Sequence, residues 1–96
     1  MVRHIVCFKL KDNSDGAKKA AEEVLNSMRG VVHTIRGFEV GTDYLGSERS
    51  YDVVLITTFD EKVDLESYQV DPYHVDVVKK YMHSVVETSV SVDYEF

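Results

Sequence analysis

A tyrosine, a helix start and a histidine lie within seven positions in the stretch YQVDPYH, residues 68 to 74. Asp71 is a favourable N-cap, because its carboxylate can accept hydrogen bonds from free backbone N–H groups, and Pro72 suits the first helical position. These residues predict a helix that begins at about Pro72, with His74 in its first turn. The helix N-terminus disfavours the imidazolium and Asp71 favours it, which leaves only a tendency towards a neutral His74. A neutral imidazole beside a phenol can remove a proton and stabilise an oxyanion, so Tyr68 and His74 are candidate catalytic residues.

The same two residues also fit a purely structural role. A histidine in the first turn of an amphipathic helix is often a semi-buried residue with a satisfied hydrogen bond. A tyrosine before a turn often packs in the core with its hydroxyl at the edge. Residue types alone therefore leave both roles open.

A third candidate, His4, lies in an alternating stretch that predicts a strand over residues 2–10. A lone histidine on an apolar strand face is more often a hydrogen-bonded core residue than a catalyst. The patterns nevertheless direct His4 and His74 towards the same gap between sheet and helices, where a pocket could hold a small molecule. The other residues predicted to line this ligand pocket are Val6, Phe8, Val53, Tyr81 and Val92.

Metal and cofactor sites have little support in the sequence. The four histidines include no close ligand pair, such as two histidines four residues apart on one helix, so no metal site is predicted. No phosphate-binding glycine loop, nucleophile elbow or CxxC pair occurs, and no cofactor is expected. A net charge of −6 argues against nucleic acid or an anionic membrane as a partner.

Hydrophobic periodicity predicts four strands and three helices. The strands are expected at residues 2–10, 38–44, 51–59 and 86–96. The first helix is capped by Ser14 or Asp15 and carries an apolar stripe to Met28, with one more turn possible before residue 36. The second is capped by Asp60 and runs through Leu65 and Tyr68. The third extends from Pro72 to His83 or Ser84, with Val77, Val78, Tyr81 and Val85 as its apolar stripe.

This order, β-α-β-β-α-β, predicts an α+β ferredoxin-like fold in one domain over residues 1–96. The sheet is four-stranded and antiparallel, with helices on one face and the first and third strands at its centre. The other face is then uncovered, with an apolar centre, which is typical of an interaction surface. We expect a homodimer whose two sheets face each other as a barrel through Ile5, Cys7, Val54 and Ile56.

A cytoplasmic location is expected. The single cysteine, Cys7, lies in a predicted strand and cannot form an intramolecular disulfide. The first ten residues lack the apolar core of a signal peptide, and no apolar run is long enough to span a membrane.

Five segments together resemble the stress-responsive A/B barrel (Dabb) domain family, a branch of the dimeric α+β barrel proteins. They are VRHIVCFKLKD (2–12), FEVGTD (38–43), SYDVVLITTF (50–59), YQVDPYH (68–74) and the terminal VDYEF (92–96). The resemblance implies a ferredoxin-like fold and a homodimer, but no single reaction. In a plant polyketide cyclase of this family, a tyrosine and a histidine six residues apart carry an intramolecular aldol condensation.

That pair matches Tyr68 and His74, and a first-strand histidine of the cyclase matches His4. A further pocket histidine of the cyclase corresponds to Val53 here, which is a departure from its pattern.

Three hypotheses follow. The favoured one is a stress-response-type homodimer that binds a small apolar carbonyl compound in a largely apolar pocket. The alternative is a polyketide-cyclase-like lyase, in which His74 is the general base, Tyr68 stabilises the oxyanion and His4 supplies a supporting hydrogen bond. In the third, side chains fill the gap and the histidines are structural.

Overall fold

The computed structural model describes residues 1–96, which form a four-stranded antiparallel sheet with helices packed on one face. The strands are β1 (Val2–Leu10), β2 (Gly37–Thr42), β3 (Val53–Phe59) and β4 (Val86–Glu95). The helices are α1 (Asp15–Asn26), α2 (Lys62–Val70), a π-helix (His74–Lys79) and α3 (Lys80–Val85), which continues directly from the π-helix. This arrangement confirms the predicted ferredoxin-like α+β fold.

The strand order is β2-β3-β1-β4, so the first and third strands are central, as predicted. Strand β1 pairs antiparallel with both β3 and β4. Along β3, every second residue from Val53 to Phe59 is buried against the helices. Residues of β1 share that side of the sheet in the same alternation, which directs His4, Val6 and Phe8 towards the helical layer.

The core lies between this sheet face and the helices. Its largest fully buried side chains are those of Tyr68, Phe59, Leu25 and Met28. Ser14 caps α1, as predicted, with its hydroxyl accepting a hydrogen bond from the Ala17 N–H. The helix ends at Asn26, earlier than predicted, because the chain continues in separate hydrogen-bonded turns that still bury Met28 and Val32.

The helix predicted from Pro72 begins there, and its N-terminus is capped as expected. The Asp71 carboxylate accepts hydrogen bonds from the Tyr73 N–H at 2.9 Å and the His74 N–H at 3.3 Å. Residues 72 and 73 are helical, and the chain then widens into the π-helix, which periodicity did not predict. Val77 is consequently 44% exposed, whereas Val78 and Met82 are buried, so the predicted apolar stripe was wrong at Val77.

The predicted limits of three other elements were wrong by one or two residues. Glu61, and not Asp60, precedes α2 as its N-cap, and the Glu61 N–H donates to the Asp64 carboxylate at 3.1 Å. Strands β2 and β3 are shorter than predicted, since the chain between residues 43 and 52 forms turns.

The prediction that Val92 of β4 faces the pocket was also wrong. Val86 pairs with Leu10, but a bulge between Lys9 and Leu10 shifts the register of the rest of the strand. Beyond it, Val92 pairs with Ile5 and therefore lies on the uncovered face. A one-residue slip exchanges the two faces of a strand, because successive side chains alternate.

No helix in the structure has the length and apolar character needed to cross a membrane.

Candidate functional site

A cavity of about 320 Å³ lies between the sheet and the helices. Its floor is formed by residues of the β1 face, including Val6 and Phe8, together with Leu55 of β3. Ser89 and Ser91 of β4 line its edge, because the register of β4 turns them to this side. The floor is therefore apolar at its centre and carries hydroxyl groups on one side.

The opposite wall comes from α2, the π-helix and α3, and it places Tyr68 and His74 opposite His4 of β1, so the three predicted catalytic residues line one cavity. The Tyr68 ring lies 4.2 Å from the His74 ring, measured between centroids, with 32° between the ring planes. The same ring lies 6.0 Å from that of His4 at 63°. Tyr68 thus stands between the two imidazoles, and all three residues line the cavity.

His4 is paired with a carboxylate that the sequence did not assign to this site. Its Nδ1 forms a hydrogen bond with Asp93 Oδ1 across the β1–β4 pair. The His4 side chain is 10% exposed and that of Asp93 is 47% exposed, so the pair lies at the edge of the buried layer. A carboxylate bound to one ring nitrogen fixes the orientation of the ring, which leaves Nε2 as the nitrogen free for another partner.

His74 is kept neutral mainly by burial. Burial lowers the pKa of His74 below its usual value of 6.5, and the nearby Lys79 and His4 side chains act in the same direction. The Gln69 backbone and the Asp71 carboxylate act against this shift. The Nδ1 atom of His74 is buried and has no hydrogen-bond partner. The predicted tendency towards a neutral imidazole is present, but desolvation is its main cause.

Tyr68 is an uncharged phenol at any ordinary pH. Its side chain is 1% exposed, and burial raises its pKa above the usual value of 10.0, with no hydrogen bond contributing to the shift. A protonated phenol can donate one hydrogen bond. Because Tyr68 lines the cavity, a carbonyl or enolate oxygen inside it is a possible acceptor.

The other residues predicted for the pocket are divided between the cavity and its surroundings. Val6 and Phe8 line the cavity, whereas Val53 and Tyr81 do not. Val53 is 2% exposed and packs in the core behind the cavity wall, and Tyr81 packs against the same core from α3. Val92 lies on the uncovered sheet face, 61% exposed, for the register reason given above.

Sequence reasoning missed several polar residues of the site. Ser89, Ser91 and Asp93 were not predicted for the site, because strict alternation from Val92 would place them on the opposite face, and the bulge reverses this. Lys79 and His83 line the cavity mouth, although helical periodicity gave no sign of a role for Lys79.

No group of three or more histidine, cysteine, aspartate or glutamate side chains is arranged to hold a metal ion. The groups that face the cavity are imidazoles, a phenol, an amine, an amide and hydroxyls. This set can accept a proton, donate hydrogen bonds and hold an anion.

Comparisons with known proteins identify a family that matches this chain. A model of the Stress Responsive A/B Barrel Domain matches residues 2–96. A stress-response A/B barrel domain-containing protein of Arabidopsis thaliana is 29% identical over 97 residues, which cover 98% of this chain. The chain spans only 36% of the length of that plant protein.

Two solved structures show the fold in other organisms. A dimeric protein of unknown function with a ferredoxin-like fold from Bacteroides fragilis is 30% identical, with a TM-score of 0.83 over 99% of this chain and 95% of the other. A hydroxynitrile lyase from Passiflora edulis is 20% identical, with a TM-score of 0.78 over 97% and 90%. At that identity the second likeness concerns the fold alone.

Proposed function

Because the chain belongs to the stress responsive A/B barrel domain family, we propose that it is a homodimeric domain that binds a small, largely apolar carbonyl compound. The observation that carries this proposal is the convergence of His4, Tyr68 and His74 on one cavity with an apolar floor. Apolar walls with a few converging polar groups are typical of small-molecule sites.

The size and chemistry of the cavity limit the ligand. A volume of about 320 Å³ is at the small end for ligand sites, which favours a compound with a single ring or a short chain. Burial keeps Tyr68 protonated, so its hydroxyl donates to an acceptor such as a carbonyl oxygen. Val6, Phe8 and Leu55 would contact the apolar part of the same molecule.

Titration with acetophenone and propiophenone tests the binding proposal, with the histidine side-chain NMR signals as the readout. We expect the signals of His4 and His74 to shift with saturation, because both rings line the cavity. His33 lies outside this cavity and serves as the internal control. If neither His4 nor His74 responds, or if His33 shifts as much as they do, the cavity is not a site for aromatic ketones.

The homodimer is proposed to form through the uncovered face of the sheet. The predicted residues Ile5, Cys7, Val54 and Ile56 lie in register at the centre of this face, on β1 and β3. Because of its shifted register, β4 adds Val90 and Val92, which are 51% and 61% exposed in the single chain. An apolar patch of this kind is typical of a protein interface. The 30% identical Bacteroides protein is described as dimeric, which supports a homodimer.

Val92→Asp is expected to convert the dimer into monomers, because it buries an unpaired carboxylate in the proposed interface. The matched control is Val63→Asp, since Val63 is exposed to a similar extent, 56%, but lies on α2 at the other side of the sheet. Sedimentation velocity of both variants measures the effect. A dimeric Val92→Asp variant, or equal dissociation of both, would contradict this interface.

A second candidate function is proton abstraction from the carbon next to the carbonyl group. The observation that favours it is the combination of a half-buried, neutral His74 with a His4 ring that is bound to Asp93. His74 would take the proton, and the C–H electron pair would form an enolate whose oxygen accepts a hydrogen bond from Tyr68. His4 would hold the substrate through Nε2.

In a polyketide-cyclase-like lyase, the enolate carbon would then attack a second carbonyl of the same molecule. That step forms a carbon–carbon bond, and the new alkoxide takes a proton to become a hydroxyl group. Uptake of deuterium from D₂O at the carbon next to the carbonyl measures the first step alone, whatever reaction follows it.

A further inference from the structure

The residues that line the cavity include a positive charge and no negative one, whereas the chain as a whole is acidic. The protein contains 17 acidic residues and has a net charge of −6. No aspartate or glutamate lines the cavity, whereas one lysine and three of the four histidines do. Two carboxylates lie next to this lining: Asp93 is bound to His4, and Asp71 accepts hydrogen bonds from the Tyr73 and His74 N–H groups. An anion in this cavity therefore meets a lysine amine and no carboxylate among the lining residues.

The π-helix explains why a lysine is part of this lining. In an α-helix, residues five positions apart point about 140° away from each other around the axis, so Lys79 would face away from His74. In a π-helix, the backbone hydrogen bond joins positions five apart, so these positions lie much closer to the same side of the axis. The segment His74–Lys79 is π-helical, and both of its end residues line the cavity.

The Lys79 amine is available for a ligand. It takes part in no ion pair within the chain, and its side chain is exposed at the cavity mouth. His83 lies at the same mouth, and the Ser89 and Ser91 hydroxyls line the cavity from β4. An amine, an imidazole and two hydroxyls can together bind the two oxygens of a carboxylate.

We propose that the ligand of this cavity carries a carboxylate, which Lys79 binds at the mouth while the apolar part of the molecule lies over Val6 and Phe8. The inference rests on the proposed binding function and adds the charged group that the ligand bears. Lys79 then determines specificity, because its positive charge gives a carboxylate a higher affinity than the corresponding uncharged ester.

The test uses a matched pair of ligands, 3-benzoylpropionate and its methyl ester, which share the aromatic ketone and differ in charge. Calorimetric titration of the full chain is expected to give about fivefold tighter binding for the carboxylate, as is typical of one solvent-exposed ion pair. In the variant Lys79→Gln, the carboxylate and the ester should bind with about equal affinity, and the affinity for the ester should be that of the wild type. Salt at about 0.5 M should also reduce the preference, through screening.

Lys80→Gln is the control, because Lys80 is the next residue, is exposed and does not line the cavity. It should retain the preference of the wild type. If the ester binds and the carboxylate binds no more tightly, the carboxylate inference is overturned and the proposed binding of carbonyl compounds stands. If neither compound binds, both proposals fail for this ligand class. Equal loss of preference in Lys79→Gln and Lys80→Gln would overturn the role of Lys79.

Discussion

Tyr68→Ala is expected to lower the free energy of unfolding by about 3–5 kcal/mol, as is typical when a fully buried aromatic side chain is truncated. The Tyr68 ring is 1% exposed and packs against Phe59, at 5.4 Å between ring centroids, and against His74. Removing it would leave a cavity where α2, the π-helix and the sheet meet. Since domains of this kind have about 5–15 kcal/mol of stability, the loss should be large enough to unfold part of the population.

The matched variant is Tyr68→Phe, which retains the ring and removes the hydroxyl. We expect it to change the stability by less than about 1 kcal/mol, because no hydrogen bond contributes to the raised pKa of this hydroxyl. Urea unfolding at one fixed protomer concentration measures both variants, which matters because dimer formation adds to the apparent stability. If Tyr68→Phe were as unstable as Tyr68→Ala, the hydroxyl would have a structural role, and its proposed role in binding a carbonyl oxygen would lose its basis.

The order of elements could be read from the sequence because local signals and hydrophobic periodicity agreed. The alternation over residues 2–10 matches β1, and the Ser14 cap and Asp71 cap match the observed helix starts. These features depend on neighbouring residues, which a single sequence contains. The convergence of His4, Tyr68 and His74 followed from the faces of those elements.

The rest of the site depends on two irregularities that a periodic pattern cannot contain. The bulge opposite Lys9 and Leu10 exchanges the faces of β4, so it brings Asp93 to His4 and moves Val92 to the other side. The π-helix rotates the positions after His74, which brings Lys79 to the cavity and exposes Val77. Each irregularity adds about one residue to the local repeat of the strand or helix, and each lies in a segment that lines the cavity. Irregular segments of this kind are frequent at functional sites.

His74→Gln is expected to lower the rate of deuterium uptake by a bound ketone by about 100- to 10,000-fold, the range typical of a lost general base. Glutamine retains a polar group of similar size but cannot accept the proton. Uptake at the carbon next to the carbonyl of propiophenone in D₂O, followed by NMR, measures this step. His33→Gln is the control, because His33 lies outside this cavity, and it should exchange at the wild-type rate.

The pH dependence of the same exchange identifies the base. Burial lowers the pKa of His74 below 6.5, so its neutral form persists on the acid side of that value and is lost only as the pH falls through the lowered pKa. The rate should therefore remain constant from neutral pH to below 6.5 before it declines. If His74→Gln exchanged at the wild-type rate and Asp93→Asn did not, the proton acceptor would be His4, held by its carboxylate. If the wild type bound the ketone and exchanged no deuterium, the three rings would form a binding site without this chemistry.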